Sequence, residues 1–301
     1  MRRRAILIGL LAQMALMSPS ARAGGITAVA SFSVLADMMR RIAGEMVAGE
    51  MVHVTSLVPA DADVHVWQPS AGDSRTLTEA ALLVENGLGL EGWMSRLSAA
   101  SGFRGIRIVA SGGVTPRTMR KGAATSIDPH AWQDPRNGVI YARNIAEGLT
   151  AADPVHADAY RTSAAAYVAE IEQTDAWIAS QFAPIPPAAR RIVTTHDAFG
   201  YYGARYGIEF LAAEGLSTDA EPSAKTIAAL VAQIKRERVR TVFLENMTDP
   251  RLTAMLARET GATVSGPLYS DALSKPDGPA PDYISMLRHN TTLFERAMRP
   301  A

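Results

Sequence analysis

The chain has 301 residues, with 30 basic and 30 acidic side chains and no cysteine. Nearly half of it is hydrophobic, enough for about two globular domains at ~150 residues each. A balanced charge removes the electrostatic argument for nucleic acid or an anionic membrane surface, and the missing cysteines exclude a disulfide framework.

Residues 1–23 read as a cleavable signal peptide. Arg2, Arg3 and Arg4 make a basic start, and residues 5–17 form an apolar run shorter than the ~20 residues that span a bilayer. Ala21, Arg22 and Ala23 then complete a cleavage motif, so the mature protein is expected to begin near Gly24. No later segment is apolar enough to span a membrane. A lipid anchor needs a cysteine at the cleavage point, so the protein is expected in the periplasm without one.

Short apolar runs predict buried parallel strands, each followed by a loop and a helical pattern. They are ITAVAS (26–31), VHVTSLV (52–58), ALLVEN (81–86) and RGIRIVAS (104–111) in the first half. RRIVTTH (190–196), IEFLAAE (208–214), RTVFLEN (240–246) and GATVSG (261–266) continue the pattern in the second. Between them, residues 153–182 predict one long helix with Asp153 as N-cap and Pro154 at its first position. APIPP (183–187) ends it. The expected fold is α/β: two (β/α) lobes with parallel sheets, joined by one long rigid helix, with a cleft between the lobes. The expected division is 24–152 for the first lobe, 153–183 for the linking helix and 184–301 for the second lobe.

Three of the six histidines lie on loops beyond carboxyl ends of predicted strands, the edge where open parallel sheets bind ligands. These are His65 in VPADADVHVWQPS, His130 in IDPHAWQDP and His196 directly after IVTT. Asp271 in GPLYSDAL occupies the same kind of position. Three imidazoles and one carboxylate suit a tetrahedral Zn²⁺ set without thiolates. His53, His156 and His289 carry no such context. Asp63, Asp128 and Asp197 are candidates to orient ligand rings, although Asp128 and Asp134, each before proline, equally suit turns and helix starts. Trp67 and Trp132 are expected to pack the cleft wall. Glu245, at a strand end, lines the cleft or serves as a cap or ion pair. KRERVR (235–240) reads as a solvated helix end or a docking surface for a membrane partner.

The segments VPADADVHVWQPSAGDSRTLTEAALLVENGLGLEGWM, DPHAWQDPRNGVIYARNIAEGL, TTHDAFGYYGARYGI, FLENMTDPRLTAMLARETGA and LYSDALSKPDGPAPDYISMLRHN resemble the zinc- and manganese-binding solute receptors of ABC importers, the ZnuA/TroA-like family (cluster A-I). The resemblance implies two lobes bridged by a rigid helix and metal-ligand roles for His65, His130, His196 and Asp271. It also implies delivery of the ion to an ABC permease in the inner membrane, driven by a cytoplasmic ATPase. Family members with histidine as third ligand handle zinc, and those with glutamate handle manganese or iron. His196 therefore points to Zn²⁺, with Mn²⁺ as the alternative cargo. Residues 111–126 hold no histidine, so the metal-collecting loop of many zinc receptors is missing. That departure resembles the AztC-type subgroup and raises a periplasmic zinc metallochaperone as a partner; a monomer is expected. The rival from another class is a zinc hydrolase with water in the fourth position, which a ligating Asp271 would close. A second rival is an exported adhesin with a structural metal.

Overall fold

A computed structural model describes residues 25–44, 52–121, 124–194, 196–212, 223–236, 241–247 and 250–299. The signal peptide expected at 1–23 lies outside them, as does part of the basic run at 235–240.

The apolar runs of the first half become β1 (Thr27–Phe32), β2 (His53–Val58), β3 (Leu82–Glu85) and β4 (Ile106–Val109). They form a parallel sheet in the order β2-β1-β3-β4. α1 (Ser33–Ala43), α2 (Ala71–Glu79) and α3 (Met94–Ser101) follow their strands. β1 is central and is buried along residues 28–32, which explains its unbroken apolar character.

A hairpin of β5 (Arg117–Lys121) and β6 (Ala124–Asp128) comes next, and no apolar run announced it. Apart from Met119 and Ile127, one in each strand and each paired with a polar residue, its strand residues are basic, small or polar, so no period of two marks it. α4 (Pro135–Ala152) starts as the second Asp-Pro pair predicts. Asp134 accepts the Arg136 N–H at 2.9 Å, and Pro135 takes the first helical position.

α5 (Ala157–Phe182) is the long connecting helix, 26 residues or ~39 Å at 1.5 Å per residue. A short 3₁₀ turn, Pro154–His156, precedes it. Asp153 does not cap this helix with its side chain, contrary to expectation. Its carboxylate pairs with His156 Nδ1 and accepts the Tyr160 hydroxyl, each at 2.6 Å, and is thereby committed elsewhere.

The second half repeats the architecture through β7 (Arg191–Thr194), α6 (Gly200–Tyr206), β8 (Glu209–Ala212) and α7 (Ala224–Arg236). β9 (Thr241–Glu245), α8 (Pro250–Thr260), β10 (Thr263–Leu268) and α9 (Tyr283–Met298) complete it. This sheet is also parallel, in the order β10-β9-β7-β8. One hydrophobic core runs from β1 and α1 through α5 to α9, and a smaller cluster lies beneath α7 and α8. Among the described residues no helix is long and apolar enough to cross a membrane.

The two halves are tied where α9 begins. The Tyr283 N–H donates to Asp37 on α1 at 2.9 Å, and the Tyr283 hydroxyl donates to the Trp132 carbonyl at 2.5 Å. Burial pushes the Asp37 carboxyl up to about 6, against the opposing pull of that N–H. A carboxyl raised in the fold costs stability where it is ionised. The cost is complete above pH 6, fades as pH falls, and vanishes below the unfolded value near 3.8. Asp37→Asn keeps the acceptor for Tyr283 and removes the charge. It is expected to raise the unfolding free energy at pH 7.5 by at most ~3 kcal/mol, with the gain disappearing by pH 4. Paired thermal melts across that range measure it, and a gain that is independent of pH would contradict this account.

Candidate metal centre

Each of the four candidate residues emerges beyond a strand's carboxyl end. His65 follows β2, His130 follows β6, His196 follows β7, and Asp271 follows β10. The first two come from one half of the chain and the last two from the other. The fold brings one donor atom from each to within 4.8 Å of all the others. His65 Nε2 lies 3.2 Å from His130 Nε2 and 3.1 Å from Asp271 Oδ2. Asp271 Oδ1 is 3.6 Å from His130 Nε2, and Asp271 Oδ2 is 3.5 Å from His196 Nδ1.

The cluster is buried except on one side. The Asp271 side chain is inaccessible, His130 and His196 are 1% and 11% exposed, and His65 is the most open at 17%. Asp271 Oδ1 has no hydrogen-bond donor, a costly state for a buried carboxylate oxygen unless a cation meets it.

Buried carboxylates stand behind the histidines. Asp128 Oδ1 accepts the His130 N–H at 3.0 Å and pairs with its Nδ1 at 2.7 Å. The turn chemistry open to Asp128 in sequence is thus joined to a contact with the ring. Asp63 accepts the His65 N–H at 2.7 Å. Asp197 is partly buried among these groups, and burial pushes its carboxyl and that of Asp63 up. Glu245, the last residue of β9, faces His196, a partnership that sequence position alone did not specify.

Trp132 forms the cleft wall as expected. It is fully buried, tilts against Phe32 at 4.9 Å, and its ring lies 5.5 Å from that of His130. Trp67 packs against the core as a partly buried side chain. The remaining histidines stay outside the cluster. His53 is exposed at the start of β2, His156 pairs with Asp153, and His289 Nε2 lies 2.9 Å from the Pro267 carbonyl.

Electrostatics couple the four groups. Burial pulls the His196 imidazole down, but the carboxylates of Asp271 and Glu245 outweigh it and push its pKa up to about 10. His65 is also raised, burial again being outweighed by Asp271. Burial would raise the Asp271 carboxyl, and the surrounding imidazoles hold it well below the usual carboxylate range. Without an ion, protons on imidazoles supply the positive charge that the buried carboxylates require.

The family model described as "Zinc-uptake complex component A periplasmic", ZnuA, matches residues 28–297, nearly the whole chain. The chain belongs to the ZnuA family. ZnuA-type proteins are the metal-binding receptors of ABC importers, which work with a membrane permease, and the family is not one of enzymes. The chain is 31% identical to the iron-binding protein YfeA of Yersinia pestis, over 92% of this chain and 87% of YfeA. It is 32% identical to the manganese-binding lipoprotein MntA of Bacillus subtilis, over 85% of this chain and 86% of MntA. The solved periplasmic zinc-binding protein TroA of Treponema pallidum superposes with a TM-score of 0.84 at 25% identity, covering 92% of this chain and all of TroA.

These names overturn one expectation, that the protein lacks a lipid anchor. MntA and several streptococcal relatives are named lipoproteins. The missing cysteine speaks only to thioether attachment within these 301 residues, and the leader lies outside the described ones. Tethering is also physically favourable for such a receptor, because it raises the effective concentration at the permease.

Proposed function

We propose that this chain is a zinc receptor that captures Zn²⁺ with His65, His130, His196 and Asp271 and passes it to an ABC permease. The observation that carries the reading is the spacing of the four donors. Zn–N and Zn–O bonds of ~2.0–2.1 Å in a tetrahedron place donor atoms ~3.3–3.4 Å apart. The separations of 3.1, 3.2 and 3.6 Å among His65 Nε2, His130 Nε2 and the Asp271 carboxylate bracket that value, and a ring nitrogen of His196 lies within 4.8 Å of the other donors. A nitrogen-rich set favours Zn²⁺ over Mn²⁺, which prefers more oxygen. Four protein donors also leave no place for the water that a zinc hydrolase needs. Within this reading, residues 24–152 and 184–301 act as the two lobes and 153–183 as the stiff link. Manganese is the second reading, supported by the relative that bears manganese in its name. Competitive titration with Zn²⁺ and Mn²⁺ decides between them, and tighter Mn²⁺ binding would reject zinc as the cargo.

Proton release gives a second test. With His196 pushed up to about 10, its imidazole is charged at pH 7.5 before metal binds. An ion must displace that proton, so apparent affinity is expected to keep rising with pH past 7 rather than level off near the ordinary histidine value of ~6.5. Calorimetry in buffers of different ionisation enthalpy is expected to show at least about one proton released per ion at pH 7.5. No release would contradict this charge balance.

A further inference from the structure

We propose that Glu245 is a positioning residue that presents His196 to the ion and locks it to the segment carrying Asp271. This deepens the receptor reading and rests on it. Glu245 is 1% exposed at the end of β9, and a carboxylate buried so deeply is costly unless its oxygens are matched. Its Oε1 accepts the His196 main-chain N–H at 3.0 Å, and its Oε2 faces Nδ1 of the same histidine at 3.3 Å. One carboxylate thus holds both the backbone and the ring. An imidazole that gives one N–H to a carboxylate leaves its other nitrogen bare for a metal. Glu245 therefore places the proton on Nδ1 and turns Nε2 to the ion. Asp128 repeats the arrangement at His130, whereas Asp63 takes only the main-chain N–H of His65.

Ser270 extends the device. Its hydroxyl donates to Glu245 Oε2, and its carbonyl accepts Trp132 Nε1 at 2.9 Å and Gln133 Nε2 at 2.8 Å. The next residue is Asp271. Segments bearing His130, His196 and Asp271 therefore converge on one buried glutamate–serine pair, which sets their spacing before any ion arrives.

The test uses the full chain loaded with Zn²⁺ and labelled with ¹⁵N-histidine. Long-range ¹H–¹⁵N spectra are expected to show His196 protonated at Nδ1 and metal-bound at Nε2; metal on Nδ1 would overturn the proposal. E245Q keeps the shape but loses the charge, and its Zn²⁺ affinity is expected to fall ~10–100-fold, with the His196 signals shifted. Wild-type affinity and unchanged His196 signals in E245Q would also overturn it. The wild-type spectrum decides the matter even where E245Q fails to fold. A wild-type chain that binds no Zn²⁺ rejects the receptor reading itself, whereas tight wild-type binding with an indifferent E245Q rejects only the role of Glu245.

Discussion

Replacing His130 with alanine is expected to weaken Zn²⁺ binding by roughly a hundred- to a thousand-fold. Protein zinc sites with four ligands carry ~10–16 kcal/mol of binding free energy, so each ligand accounts for ~2.5–4 kcal/mol, and 1.4 kcal/mol is tenfold. His130 is the least exposed of the three imidazoles, and its ring is held from behind by Asp128 at 2.7 Å. Water entering the gap cannot recover that fixed geometry. The substitution also strands Asp128, a buried carboxylate without its partner, so the metal-free variant is expected to unfold at lower temperature as well. His53→Ala is the control, since His53 sits exposed at the start of β2, away from the cluster, and its affinity is expected to match the parent's. Competitive titration of both variants against a chromophoric chelator measures this, and a His130→Ala chain with parental affinity would remove His130 from the site.

The largest effect on stability is expected from Phe294→Ala. Phe294 on α9 is fully buried, with the rings of Phe199, Tyr202, Phe210 and Phe243 at centroid distances of 5.3, 5.5, 5.1 and 5.6 Å. Truncation leaves a hole lined by rings that cannot collapse inward, because each is fixed by its own strand or helix. Phe-to-Ala changes in such cores cost ~3–5 kcal/mol, a large share of the total stability of an ordinary domain. Urea unfolding of the metal-free chain is expected to show that loss, with Phe294→Leu losing less. None of these five rings is among the four donor residues, so the folded fraction is expected to keep its zinc affinity. A loss below ~1 kcal/mol would mean that the second half repacks around the gap.

Much of the architecture was legible because its signals are local. Eight apolar runs became eight parallel strands; β1 and β3, inside their sheet, are apolar because they are covered on both faces, whereas β2, β4 and β10 at sheet edges keep partly exposed positions. Asp134 and Pro135 start α4 as read, because here the cap is made to the neighbouring Arg136 N–H and needs no distant partner. The hairpin at 117–128 escaped notice for the opposite reason. Neither of its faces carries an apolar stripe, and only pairing between β5 and β6 makes it a strand pair. Asp153 misled because its carboxylate had two uses, and the choice between capping and binding Tyr160 depends on where a ring seven residues away comes to rest.

The candidate site divides along the same line. His65, His196 and Asp271 could be named from sequence because parallel sheets send their ligand-bearing loops out at one edge, whereas His130 follows β6 of the antiparallel hairpin rather than a strand of either parallel sheet. How those members are held was decided by packing alone. Glu245 meets His196 across 49 residues of chain, and Trp132 meets Ser270 across 138. No periodicity or spacing encodes such contacts, because the first needs β7 and β9 to pair as neighbours in one sheet and the second needs the two halves of the chain to meet. The sequence by itself therefore determined that His65, His196 and Asp271 stand at the carboxyl edges of the two sheets. The tertiary structure decided how far apart they stand, which carboxylate backs each ring, and how much charge the buried cluster holds before an ion enters it.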